Sequence, residues 1–154
     1  NEKITCFNIG LGETNKRSSF GSLDRHNTLN WNEGYTVELI NYGGRSLEDN
    51  LGTDEIEIRT LDSFNFTPHF IKMDVEGYEL KTFQGAKQTL KKHHPILLFE
   101  SFPNSKEDVF NFLKGIGYEI YTVPHTAQSA DFIAIHPQFK DYSLISKIIA
   151  NILN

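Results

Sequence analysis

The feature that most constrains this chain is a switch of hydrophobic period between residues 70 and 99. Phe70 to Val75 is a short, mostly apolar run of strand length, which predicts burial on both faces of a parallel sheet. Glu79 to Lys92 then changes to helical spacing. Leu80, Phe83, Ala86 and Leu90 form one stripe, while Lys81, Lys87 and Lys91 line the wet side. Pro95 marks the exit, and Ile96 to Phe99 reads as another buried strand. Two strands joined by one crossover helix close as parallel neighbours. Ser105 opens a further helix, with Asp108 in a capping-box-like position and Val109, Phe110, Phe112 and Leu113 as its apolar face. Gly115 and Gly117 end it. Tyr118 to Val123 and Asp131 to His136 read as strands joined without a helix, hence an antiparallel hairpin at one edge. The tail from Tyr142 is helical, and Leu144, Ile145, Ile148, Ile149 and Ile152 are expected to pack on the domain. The expected class is α/β, a mostly parallel sheet with helices on its faces and an antiparallel C-terminal hairpin.

The first half is less regular. Ile4 to Ile9 reads as a strand ended by Gly10-Leu11-Gly12, with Cys6 inside it as a buried small hydrophobe. Residues 13 to 34 are polar and read as a long loop with a short strand near Phe20. Thr36 to Ile40 is a strand, Asn41 to Gly44 a turn, and Glu55 to Thr60 a half-buried strand with Ile56 and Ile58 on one face. Thr60 is placed as the cap of a short helix reaching Phe64, with Asp62 and Ser63 in its first turn.

Length and charge narrow the function classes. The 154 residues suit one domain, 1–154. The start at Asn1 lacks a methionine, so the expectation is the C-terminal part of a longer protein. A net charge of −5 argues against a nucleic-acid partner. The one basic cluster, Lys91, Lys92, His93 and His94, falls at a helix end, where cations complement the dipole. No run approaches the ~20 apolar residues of a membrane span, and no signal peptide opens the chain. A single cysteine excludes an internal disulfide and suits a reducing compartment. The expectation is a cytoplasmic protein acting on a small molecule or glycan, with a homo-oligomer as an open alternative to a monomer.

Ligands of open α/β sheets bind outside the carboxyl ends of the strands. Alternation places Lys72, Asp74 and Glu76 on one side of the first strand, provided it stays extended. Glu100 ends the neighbouring strand, so Asp74, Glu76 and Glu100 are expected to converge at one rim. Glu76 and Glu79 also suit a helix N-terminus, where negative charge is favourable. Such a rim can abstract a hydroxyl proton, orient a cationic group or bind a divalent cation, and carboxylates alone do not choose. His125 lies in a polar loop that can reach the rim.

The order Thr60-Leu61-Asp62-Ser63, Phe70-Ile71-Lys72-Met73-Asp74-Val75-Glu76-Gly77-Tyr78-Glu79-Leu80, Gly85-Ala86 and Pro95-Ile96-Leu97-Leu98-Phe99-Glu100 resembles the FkbM family of S-adenosylmethionine-dependent methyltransferases. Weaker likeness extends back to Phe7-Asn8-Ile9-Gly10-Leu11-Gly12-Glu13 and forward to Asp131-Phe132-Ile133-Ala134-Ile135. The resemblance implies a Rossmann-like methyltransferase fold and O-methylation of a sugar, glycan or natural product. Asp74, Glu76, Lys72 and Glu100 would be its catalytic residues. Asn8, Gly10 and Asp74 would hold the cofactor, and no metal site is implied.

The sequence departs from that family at its start. The opening strand with its acidic, glycine-rich turn, and the second strand ending in an acid, have no counterpart. Gly10-Leu11-Gly12 leads into Glu13-Thr14-Asn15-Lys16, not an apolar helix, and reads as a turn. Without those strands the Phe70 strand would have an open edge, and a buried apolar edge cannot stay unpaired, so the expectation is either a fragment of a longer protein or N-terminal strands moved to cover it. Two other readings stand beside methyl transfer. One is a catalytically inactive binding domain of the same fold. The other is a carboxylate-metal hydrolase, ranked last because no histidine lies at ligand spacing beside the acids.

Overall fold

The structure is a computed structural model that describes residues 3–19, 28–30, 36–38, 55–103, 105–123 and 130–153. In chain order the strands are β1 (Gly10–Leu11), β2 (Lys16–Ser19), β3 (Thr28–Asn30), β4 (Thr36–Glu38) and β5 (Glu55–Arg59). They are followed by β6 (Phe70–Met73), β7 (Ile96–Ser101), β8 (Glu119–Thr122) and β9 (Ala130–Ile135). The α-helices are α1 (Glu79–Gln84), α2 (Lys87–His93), α3 (Lys106–Gly115) and α4 (Tyr142–Leu153). A 3-10 turn covers Leu61–Phe64.

The strands form three ladders, ordered β1-β5-β2, β3-β4 and β6-β7-β9-β8. Among the described residues only β1 with β5 and β6 with β7 run parallel; the β2–β5, β3–β4, β7–β9 and β8–β9 pairs are antiparallel. The expected mostly parallel sheet is therefore corrected, while the C-terminal hairpin is found. The reason lies in β9, which inserts between β7 and β8 and runs against both. Among the described residues β6 pairs with β7 alone, so its outer side is an edge.

Burial alternates along β7, with Leu97, Phe99 and Ser101 buried and Ile96, Leu98 and Glu100 half-buried. The buried face carries Met73, Leu97, Phe99, Phe132 and Ala134 against Phe83, Leu90, Val109 and Leu113. Phe83 meets Phe99 edge-on at 5.3 Å, a geometry aromatic pairs prefer. The expected burial of β6 on both faces fails: Phe70 is 54% exposed and Lys72 is exposed. The short apolar run had two solutions, and the one-faced sheet was taken.

The N-terminal expectations need more correction. Residues 3–9 are not a strand; pairing begins only at Gly10, opposite Ile58. Cys6 is exposed, as are Ile4 and Phe7. Among the described residues the run before Gly10 has no ladder partner, and only Ile9 in it is half-buried. The short strand expected near Phe20 is β2, two residues earlier in its centre. The Asn41–Gly44 turn and His125 lie outside the described residues. In α4, Ile149 is buried and Ile145 half-buried, but Leu144 and Ile148 remain exposed, so only part of the expected face packs. No helix among the described residues is long and apolar enough to cross a membrane.

The helix expected over 79–92 is broken into α1 and α2 at Gly85-Ala86. A side chain at Gly85 would overlap the Gly12 carbonyl oxygen, so the break is where the N-terminal turn docks. Thr82 Oγ1 donates to the Leu11 carbonyl at 3.2 Å, one turn earlier. The start of α2 is then capped from elsewhere. Asp62 accepts from the Gln88 N–H at 2.9 Å and the Thr89 N–H at 2.8 Å, and its own N–H bonds the Gly85 carbonyl at 3.0 Å. Thr60 makes no side-chain cap; Ser63 Oγ donates to the Thr60 carbonyl instead. Ser105 likewise makes no side-chain cap on α3. At the far end of α2, Lys91, Lys92 and His93 fill the last turn, and His94 stacks on His136 at 4.0 Å.

Candidate functional site

The site is assembled where β6 and β7 end. The β6–β7 register runs Lys72 to Leu98 and Met73 to Phe99. Asp74 and Glu100 are the next positions on the two strands, and each follows a core residue, so the pair falls on the less covered face. On the other side of β7, Asp131 of β9 pairs directly with Glu100.

Glu76 reaches the rim by a route the alternation did not foresee. The strand stops at Met73, and the chain enters a turn with Glu76 at φ 49° and Gly77 at φ 93°. The Tyr78 N–H closes it on the Val75 carbonyl at 3.2 Å. A left-handed residue other than glycine costs roughly 1–2 kcal/mol. The row Lys72, Asp74 and Glu76 on one extended side is thus corrected: Lys72 and Asp74 share that side, and a left-handed turn aims Glu76.

The electrostatics nevertheless put the acids together. Burial first, then Asp74, Glu100 and Glu79, raise the Glu76 carboxyl above its ordinary value. Glu79 at the start of α1 is 1% exposed. Its Oε1 accepts the Gly77 N–H at 2.9 Å, while its buried Oε2 has no partner. Burial raises the Glu79 carboxyl as well, opposed by backbone N–H donors and reinforced by Glu100 and Asp74. Lys72 Nζ lies 3.3 Å from Asp74 Oδ2, with both side chains more than half exposed. Such a pair contributes less than about 1 kcal/mol to stability, so its part is orientation and charge.

Beside this rim runs a groove of about 790 Å3 along the outer edge of β6. Phe7 and Leu11 form one wall, Phe66, Phe70, Ile71 and Phe83 the others, and Lys72 and Asp74 stand at its polar end. Phe64 stacks on Phe66 at 5.2 Å and meets Phe7 at 5.4 Å, with the Arg59 guanidinium 4.4 Å above the Phe64 ring.

Lys72, Asp74, Glu76 and Glu100 therefore occupy one strand-end region. Asn8 is exposed and Gly10 lies buried in β1, in the same segment as the groove residues Phe7 and Leu11. Gly12 belongs to packing: a Cβ there would stand 2.8 Å from Ile58 Cγ2 and 3.2 Å from the Tyr78 ring. Among the described residues no group of three or more His, Cys, Asp or Glu side chains is arranged to hold a metal ion. Glu79 and Asp131 were not foreseen as site residues. Glu79 carried a signal, three residues after Glu76 at a helix start, but it read equally well as dipole compensation. Asp131 carried none, since its place depends on the β7–β9 register.

Comparison with known proteins adds three findings. The profile described as Methyltransferase FkbM domain matches residues 1–120. A crystal structure titled methyltransferase FkbM from Methylobacillus flagellatus KT is similar, with a TM-score of 0.58 and 23% identity over 87% of this chain. This chain spans 28% of the length of that one. No curated protein matches the sequence.

Proposed function

The chain belongs to the FkbM methyltransferase family, and from that premise we propose that it forms the acceptor-side part of an S-adenosylmethionine-dependent O-methyltransferase. The acceptor is a hydroxyl of a sugar, glycan or natural product. The observation that carries the reading is the convergence of Asp74, Glu76, Glu79 and Glu100 beside an apolar groove.

When bound, S-adenosylmethionine supplies an electrophilic methyl group. The groove suits such a ligand in kind, with aromatic walls and the Asp74 carboxylate at its polar end. Asp74 on one wall, with Asn8 and Gly10 in the segment of the other, are the residues assigned to hold it. The rim's task is to orient the acceptor hydroxyl and take its proton as the oxygen–carbon bond forms. Orientation of this sort can supply much of the acceleration. Glu76 is suited to be the base, because burial and three neighbouring carboxyls raise its proton affinity towards the working range of a general base. Asp74 is the second candidate, with Lys72 orienting its carboxylate. Glu100 is assigned to the acceptor or to the support of Asp74.

A specific observation favours a second reading, a binding domain of the same fold without catalysis. Gly10 is tied into the β5 ladder and Gly12 is packed against Ile58 and Tyr78, so neither opens a cradle. Calorimetric titration of S-adenosylmethionine and its demethylated product into the chain decides between the two. Micromolar binding that weakens in Asp74→Asn supports the methyltransferase reading for this chain. Absence of binding by a folded chain means either the second reading or a part whose methyl transfer belongs to a longer parent, and the same titration on a full-length parent separates these.

A further inference from the structure

Glu79 stands apart from the other acids. It is 1% exposed, yet only one carboxylate oxygen has a partner. Burying an unpaired carboxylate oxygen is costly, so its position calls for a compensating task. The partner it does have is informative. The Gly77 N–H that it accepts belongs to the second of two consecutive left-handed residues, Glu76 and Gly77. Nothing stands within 4 Å of a Cβ built on Gly77, so crowding does not hold this turn. Among the described residues, the Tyr78 N–H on the Val75 carbonyl and the Glu79 carboxylate on the Gly77 N–H are what hold it.

We propose that Glu79 is the positioning residue of the rim: one of its oxygens locks the left-handed Glu76–Gly77 turn, and the other, buried and unpartnered, leaves its charge as one of those around Glu76. The charged groups around it are Asp74 and Lys72 at the end of β6, Glu76 in the turn and Glu100 at the end of β7. After burial, Asp74 and Glu100, the Glu79 charge is a further cause that raises Glu76, so its removal lowers how readily Glu76 takes a proton. That Glu76 acts as the base rests on the proposed function; the lock and the coupling do not.

The test is therefore made on the chain alone, without cofactor. Carboxyl-labelled glutamate is followed by NMR across pH in the wild type and in Glu79→Gln, and amide exchange at Gly77 is followed in both and in Glu79→Ala. The amide oxygen of Gln still accepts the Gly77 N–H, so protection there is expected to persist. The alanine variant is expected to exchange about tenfold faster at Gly77, with distant core amides unchanged. The Glu76 titration is expected to begin above the ordinary glutamate range and to move down in Glu79→Gln. An unmoved Glu76 midpoint overturns the coupling, and Gly77 protection surviving in Glu79→Ala overturns the lock. Failure of cofactor binding would leave both results standing, so the two ideas fail separately.

Discussion

Two carboxylates, Asp62 and Glu79, stand near helix N-termini and meet opposite fates. Asp62 has both oxygens engaged, by the Gln88 and Thr89 amides, and its own N–H bonds Gly85. Glu79 is more deeply buried and has one oxygen engaged and one orphaned. The Asp62 region is a finished clasp: it joins the 3-10 turn to the break between α1 and α2, and every group in it has a structural reason. The Glu79 region is unfinished in energetic terms, with like charges gathered and proton affinities raised. Both acids belong to equally recognisable motifs. Motif strength therefore does not separate scaffold from chemistry; hydrogen-bond satisfaction does.

The contrast can be broken at its strongest point first. Gly85→Ala forces a methyl group onto the Gly12 carbonyl and should cost about 3 kcal/mol in urea unfolding. A neutral result would mean that the docking of the N-terminal turn does not set the helix break. Asp62→Ala should cost about 2 kcal/mol, since two amides of α2 lose a charged acceptor. Asp62→Asn should cost roughly half of that, as one acceptor oxygen remains.

The rim should behave in the reverse sense. The folded-state proton affinities of Glu76 and Glu79 are raised, so the protonated forms favour folding. Their contribution is fully present below the ordinary value of 4.5 and is lost as pH rises through the raised values. Glu79→Gln removes one of these groups. Its stability relative to wild type should improve as pH rises from mildly acidic buffer through the raised value. A constant difference across that range would place Glu79 with Asp62 as mere scaffold. The smallest effect is expected of Lys72→Ala, less than about 0.5 kcal/mol, because its ion pair with Asp74 is exposed. A larger loss in thermal unfolding would show the lysine to be structural.

Much of the second half was legible in the sequence, because period and punctuation agreed there. The Phe70 strand, the Ile96 strand, α3 and the final hairpin follow from runs of clear spacing between Gly, Pro and Ser. The Gly85 break was not legible: its cause is a carbonyl contributed by residue 12. The sheet's mixed direction was hidden for a similar reason, since nothing local to β9 says that it inserts beside β7. The N-terminal run misled because Ile4 to Ile9 has strand chemistry but no ladder partner. At the site, Asp74 and Glu100 followed from strand ends, whereas the aim of Glu76 depended on two left-handed residues and a side chain three positions on.

The docking of the N-terminal turn on α1 also has a consequence for the chain during synthesis. Leu11 and Thr82 are 71 positions apart, and the Gly12–Gly85 contact is of the same order. The turn has no seat until α1 has left the ribosome. At typical elongation rates that leaves the Gly10–Gly12 turn without its seat for roughly 4 to 15 seconds. A nascent chain halted before Thr82 should therefore be open to proteolysis at this turn, and one released beyond α2 should begin to protect it.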